Sequence, residues 1–412
     1  MNFALLKNKS FLLLILSNLI SLIGTEALNF ALSLYVLVIT GSAIKFAFLL
    51  SISAIPPIII SPISGVLVDR LNKKILIILL NLIDFFVLSI NIFIYLENKK
   101  ISMVGIYVLV ILLAITSSIF NPAVSTIIPS IIEEEHLVDA NGFNSICKNI
   151  ALLFAPILSG FLFGIYGLNI ILFIDCISFL IAAINFGFIR LPKIENDKFL
   201  NLSTFLVEFK EGLDFIKSKK ILGVIVILGL IINFAYIPVI SVGFNYLGKI
   251  VLHITDYQLG ILNSISLISI VFSPFLCKFL LKRVELSKII FIDIFIVSLL
   301  LILLSILNNS LVLKLFNRVL IPYLNLLIIA FLLNLISSTG NLALTTIIQK
   351  ETPISLLGRV GSVFSTILLI AMPLGQMVFG IVFNKYSVSI GFFLAGILIL
   401  VSTIISGKYL LN

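Results

Sequence analysis

The chain is 412 residues long, 61% hydrophobic and 11% charged, with a formal net charge of +9. No soluble domain of this length carries so much apolar surface, so lipid must solvate most of the chain. The basic residues are scattered between apolar runs and form no basic stripe, which argues against a nucleic-acid partner and makes the positive charge a report on membrane topology.

Lys7 and Lys9 precede a hydrophobic run that reaches Thr40. The run is too long for a signal-peptide core and reads as a retained first span. From there, apolar runs divided by charged or turn-forming residues predict twelve spans, at about 11–39, 44–68, 75–96, 102–132, 142–166, 168–190, 221–247, 258–281, 288–307, 319–349, 358–383 and 387–408. With the N-terminus in the cytoplasm, 20 of the 27 Lys and Arg fall inside and 7 outside. This asymmetry favours both termini being cytoplasmic, as an even number of spans requires.

The longest polar segment, Leu191 to Lys220, separates spans six and seven. Within it Phe205, Phe209, Leu213 and Ile216 recur at helical spacing among Glu208, Lys210, Glu211, Asp214 and Lys217, the pattern of an amphipathic helix on the inner membrane surface. The expected organisation is a six-helix half over 1–190, a cytoplasmic loop with this helix over 191–220, and a second six-helix half over 221–412. A weak repeat supports it: Ala155-Pro156 in span five and Met372-Pro373 in span eleven are 217 residues apart. Two similar six-span halves suit an alternating-access transporter with its substrate site near the midplane.

Ten residues that run from the end of span two into the next link carry an unusual charge density. Gly65-Val66-Leu67-Val68-Asp69-Arg70-Leu71-Asn72-Lys73-Lys74 resembles the loop 2–3 signature of the major facilitator superfamily, G-x-L-a-D-r-x-(G/D)-r-(K/R), with Asn72 at the variable position. Further stretches are similar to the bacterial macrolide-efflux and siderophore-export branch of that superfamily. They are Thr40-Gly41-Ser42-Ala43, Asn121-Pro122-Ala123, Ile128-Pro129, Glu133-Glu134-Glu135, Ala140-Asn141, Ala155-Pro156, Ser159-Gly160, Asp175 and Gly358-Arg359-Val360. The resemblance covers nearly the whole chain. It implies an all-α integral membrane protein of twelve transmembrane helices in two pseudo-symmetric halves, acting in secondary active transport. It also implies that Asn121, Pro122, Ala155, Pro156, Gly160 and Pro373 serve helix packing. The chain departs from the drug/proton antiporter pattern in two places. Ile101 to Ile132 contains no Arg, and Ala155-Pro156-Ile157-Leu158-Ser159-Gly160 replaces G-P-x-x-G-G. Both replacements in the second motif are small residues, which keeps close helix packing open.

The isolated charges supply the functional candidates. Asp69 ends span two, where the helix dipole disfavours an anion by a few tenths to about 1 kcal/mol. The position makes sense if Asp69 faces the start of span eleven near Gly358 and Arg359, and the resemblance implies such an inner latch, with Gly65 permitting close approach. Arg70, Lys73 and Lys74 belong to the latch or only fix topology. Glu26 stands ~22 Å along span one, inside the hydrocarbon core. A carboxylate there faces a cavity, as a substrate or proton site, or is protonated and bonded to Asn29 or Asn18. Asp84 in span three serves the same chemistry or packs with Asn81. Lys148 in span five pairs with an acid or snorkels to the cytoplasm, and Asp293 lies near the inner surface, where it can snorkel. Asp175, close to the outer end of span six, reads as structural.

The expected protein is a monomeric, proton-coupled exporter of hydrophobic or amphipathic, macrolide-like small molecules in a bacterial plasma membrane. No metal, cofactor or enzymatic activity is expected. The alternative is an exporter of one metabolite such as a siderophore, peptide or lipid.

Overall fold

The computed structural model describes residues 3–189, 202–316, 319–353 and 356–411. Among the described residues, twelve helices are long and apolar enough to cross a membrane, and there is no strand. They are α1 (Lys9–Thr40), α2 (Ala43–Arg70), α3 (Lys73–Asn98), α4 (Met103–Ile131), α5 (Leu137–Tyr166) and α6 (Leu168–Phe188), then α8 (Lys220–Val251), α9 (Asp256–Leu281), α10 (Leu286–Leu307), α11 (Leu320–Glu351), α12 (Leu357–Lys385) and α13 (Val388–Leu410). Between the sixth and seventh lies α7 (Leu202–Ser218), at the position expected for the amphipathic helix.

Helices are the economical answer to a hydrocarbon solvent, because every backbone bond closes within the segment. Their ends are fixed by local chemistry. Asn72 caps α3, its side chain accepting from the backbone N–H of Lys74 and Ile75 at 3.1 and 3.3 Å. Ser102 caps α4, Ser387 caps α13, and Thr255 with Gln258 forms a capping box at α9. Pro122, Pro129, Pro156, Pro274 and Pro373 lie inside helices that continue through them. Phe93, Phe188 and Phe275 are 64–73% exposed, which suits side chains whose solvent is lipid.

The first compact unit comprises Met1–Val36 and Ile52–Leu200. In it α3 packs along α6 and α4, and α5 meets α4 and α6. One core draws a buried side chain from each of its six helices: Phe11, Val68, Ile77, Ile127, Phe143 and Phe186. The second unit comprises Leu37–Ser51 and Asn201–Asn412. There α10 packs on α13 and α11, α9 on α11, and α12 on α8. Leu37–Ser51, which holds the last turn of α1, the link to α2 and the first turns of α2, falls in the second unit. It is held there by Ala43 N–H donating to Asn384 Oδ1 (3.0 Å) and Ser51 Oγ donating to Pro373 O (3.0 Å). Gly380 allows the approach, since a Cβ there would stand 2.4 Å from the Ala47 methyl.

Helix α8 changes pitch part-way. It is α-helical to Pro238, then forms π-helical turns over Val239–Gly243 and Leu247–Val251 on either side of Phe244–Tyr246. Such turns are rare and concentrate at functional sites. Gly243 to Ile250 approximates the phosphate-loop pattern G-x-x-x-x-G-K-(S/T), but it falls inside this helix and, among the described residues, no strand leads into it.

Candidate functional site

Three lone carboxylates from three different helices lie in the first unit. Glu26 comes from α1, Asp84 from α3 and Asp175 from α6, and both Glu26 and Asp84 lie within electrostatic reach of Asp175. Gly24 makes this possible: a Cβ on it would sit 2.4 Å from Asp175 Oδ1 and 2.6 Å from Ser178 Oγ, so α1 passes flush against the acid of α6. Asp175 is fully buried; its Oδ1 accepts from Ser178 Oγ at 3.1 Å and its Oδ2 has no partner. Asp84, also buried, accepts from Thr116 Oγ1 of α4 at 2.7 Å. Glu26 is half-buried and makes no hydrogen bond or ion pair among the described residues. Neither expected partner, Asn29 or Asn18, bonds to it; Asn18 donates from Nδ2 to Asn144 Oδ1 at 2.7 Å.

Asn81 does not bond Asp84. Its Nδ2 donates to the Ile77 carbonyl at 2.8 Å, and its Oδ1 is buried without a partner. Lys148 is exposed and makes no ion pair among the described residues. The structure does not bring it to the acids. Asp175 is what sequence reasoning placed outside the site. Its signal was present as Gly24, two residues before Glu26, and Ser178, one turn after Asp175, small groups where two acids need room and a donor.

The small residues of α5 do join α1 here. Ser159, fully buried, donates to the carbonyl of Ala27 at 2.8 Å, one residue past Glu26. Ala155 is also fully buried, while Pro156 is half-buried and Gly160 buried. In α4, Asn121 is exposed and Pro122 half-buried. Pro373 of α12 is buried, and its carbonyl is the acceptor for Ser51.

The residues around the loop between α2 and α3 separate into two groups. The side chains of Gly65, Asp69 and Arg70 lie outside the described residues. Helix α2 runs on through Arg70, so both charges stand in its last turn. Lys74 acts as a cap: its Nζ donates to the carbonyls of Gly187 and Ile189 at 2.6 and 2.8 Å and so closes the C-terminal end of α6. Lys73 is half-buried. Gly358 is exposed, with open space around its Cα. Arg359 is held by α7, with Nη2 3.5 Å from Glu208 Oε1 and Nη1 bonded to Glu211 Oε2. Gly212 brings the two helices together, since a Cβ on it would lie 2.7 Å from the Arg359 carbonyl oxygen. The expected amphipathic helix therefore docks on α12. Asp293 corrects another expectation: it is 3% exposed and pressed against Gly340, so it does not snorkel.

Twelve apolar helices with isolated acids at their centres suit a transporter. The family model described as Major Facilitator Superfamily matches residues 14–375. The chain belongs to the major facilitator superfamily. It is 24% identical over 394 residues to Macrolide efflux protein A of Streptococcus pyogenes, an alignment spanning 94% of this chain and 92% of that protein. Among solved structures, it superposes on a bacterial homologue of the iron transporter ferroportin in its inward-facing state with a TM-score of 0.78. The identity is 15% and the match covers 99% of this chain and 100% of that one. It also superposes on the nucleoside transporter NupG with a TM-score of 0.72 at 15% identity, over 98% of this chain and 99% of that one. The family makes this chain a multi-pass membrane transporter of small molecules rather than an enzyme, and the resemblance to the macrolide-efflux branch holds.

Proposed function

We propose that this transporter exports hydrophobic or amphipathic small molecules of the macrolide-like class by alternating access, driven by inward proton movement. The observation that carries the coupling is that Glu26 and Asp84 lie within electrostatic reach of Asp175, with no basic partner among the described residues. Like charges sharing a low-dielectric site cannot all be ionised, so such a group is suited to hold and release a proton. Glu26 is its half-exposed member and the residue through which proton or substrate would enter. The similarity to a macrolide efflux protein along nearly the full length of both chains supports the substrate class. The excess of Lys and Arg on alternate loops supports cytoplasmic termini.

A second reading, export of one metabolite such as a siderophore, peptide or lipid, is favoured by one feature. Helix α4 contains no Arg, unlike many drug/proton antiporters of the superfamily.

The test is accumulation of erythromycin and ethidium in energised cells lacking their own pumps. Cells carrying the protein are expected to accumulate less of both. Glu26→Gln and a protonophore should each abolish the difference. Accumulation equal to that of the vector control would reject the macrolide-like class and move the assignment to a single metabolite. Efflux that survives Glu26→Gln would remove that residue from the coupling.

A further inference from the structure

The second unit contains a cavity of about 160 Å³ that the efflux reading does not use. It is bounded by α8, α10, α11 and α12, and no Lys or Arg lines it. Two groups in its wall are buried and unsatisfied: Asp293 (3% exposed) through Oδ2, and Tyr236 (4% exposed) through its hydroxyl. Asn233, Ser337 and Asn341 also line it. Ser337 stands beside the Tyr236 hydroxyl without closing a hydrogen bond of good geometry to it. Asn233 spends its Nδ2 on the Gly229 carbonyl at 2.9 Å, which leaves its Oδ1 as the unspent end. Gly340 presses its backbone on the acid, since a Cβ there would be 3.1 Å from Asp293 Oδ2. The nearby titratable group from α9 is the thiol of Cys277, which brings no positive charge.

An unpartnered carboxylate and an unpartnered phenol, both buried beside the same cavity, define a demand that protein groups do not meet. One negative charge calls for one positive charge, because a divalent ion would leave a buried excess. The remaining donors are neutral oxygens of hydroxyl and amide groups, which are ligands for hard cations. The cavity has room for an ion and several waters. A proton alone would satisfy the carboxyl but leave the tyrosine and amide oxygens without a purpose. We infer that the second unit holds a site for a small monovalent cation, Na⁺, bound by the Asp293 carboxylate with Tyr236, Asn233 and Ser337 supplying neutral oxygens. The inference does not depend on the efflux substrate or on Glu26.

The test is thermal unfolding of the purified full-length protein in detergent, titrated with NaCl against choline chloride at constant ionic strength. A ligand that binds only the native state raises the midpoint saturably. The expected result is an Na⁺-specific rise of roughly 2 °C or more. Asp293→Asn should abolish it, and Tyr236→Phe should shift the half-saturating concentration upward by about threefold or more. Glu97→Gln, which removes an exposed carboxylate, should leave it unchanged. No Na⁺-specific rise in the unmodified protein, or an equal rise in Asp293→Asn, would overturn the site. Should Asp293→Asn fail to fold, an unchanged titration in Tyr236→Phe combined with Ser337→Ala would overturn it. Stabilisation by acid but not by Na⁺, lost in Asp293→Asn, would also overturn it and make Asp293 a proton carrier.

Discussion

Thr116 and Asp84 face each other across α3 and α4 with 2.7 Å between their oxygens. The hydroxyl also lies 2.9 Å from the Leu113 carbonyl. The bond to the acid thus competes with one inside its own helix, and the unfolded-in-membrane chain retains that alternative. Interhelical side-chain bonds of this kind are accordingly worth about 0.6 kcal/mol, and at most about 1.7. A double-mutant cycle with Thr116→Val and Asp84→Asn, read by thermal unfolding in detergent, should give a coupling energy in that range. A coupling near zero would mean that Asp84 is held by packing and that Thr116 does not orient it. The same residues show why depth and partners were hard to read from sequence. Counting residues from the start of span three puts Asp84 roughly nine residues in. It could not say that Thr116, 32 positions away, and not Asn81 on the same helix, supplies the donor.

Helix α7 shows which interactions dominate between elements. Its Glu208 and Glu211 clasp Arg359 of α12, but all three side chains are more than one-third exposed. Exposed pairs contribute about 0.2–1 kcal/mol each and weaken with salt. Gly212, by contrast, lies on the Arg359 backbone, and Ile216 one turn later is 4% exposed. A side chain at 212 has no flexible neighbour to push aside, and overpacking of this kind costs about 1–3 kcal/mol. Gly212→Val should therefore release α7 from α12 and speed proteolysis within residues 202–218. The double change Glu208→Gln with Glu211→Gln should have a smaller effect, and that effect should shrink further at high salt. Equal sensitivity of the two variants would show that charge, not backbone approach, seats the helix. The apolar side of α7 was legible because its periodicity is sharp; its partner was not. Helices that are apolar all round advertise no contact face, so neither the acid cluster nor the docking surface on α12 could be read from periodicity. What did mark both places was glycine: Gly24 at the acids and Gly212 at the docked helix.

At the scale of the whole molecule, the span count was legible because hydropathy alone decides it. All twelve expected spans have counterparts, displaced by a few residues at their ends. The end of span two illustrates the limit: α2 runs to Arg70, two residues beyond the apolar run expected over 44–68. An even number of spans puts both termini on one side, and the distribution of Lys and Arg selects which side. Lys99 and Lys100 follow the C-terminal end of α3 and are assigned outside, whereas Lys408 lies in the last turn of α13 and is assigned inside. The three native cysteines, Cys147, Cys176 and Cys277, are all buried, so they leave a low background for a membrane-impermeant maleimide. Single Lys100→Cys should label in intact cells, and single Lys408→Cys only after permeabilisation. Each lysine replaced removes one of 27 positive charges, too few to invert a bias of 20 to 7. The reverse labelling pattern would place the termini outside. It would then put Lys74, which caps α6, on the outer face, and the direction of transport would have to be assigned again.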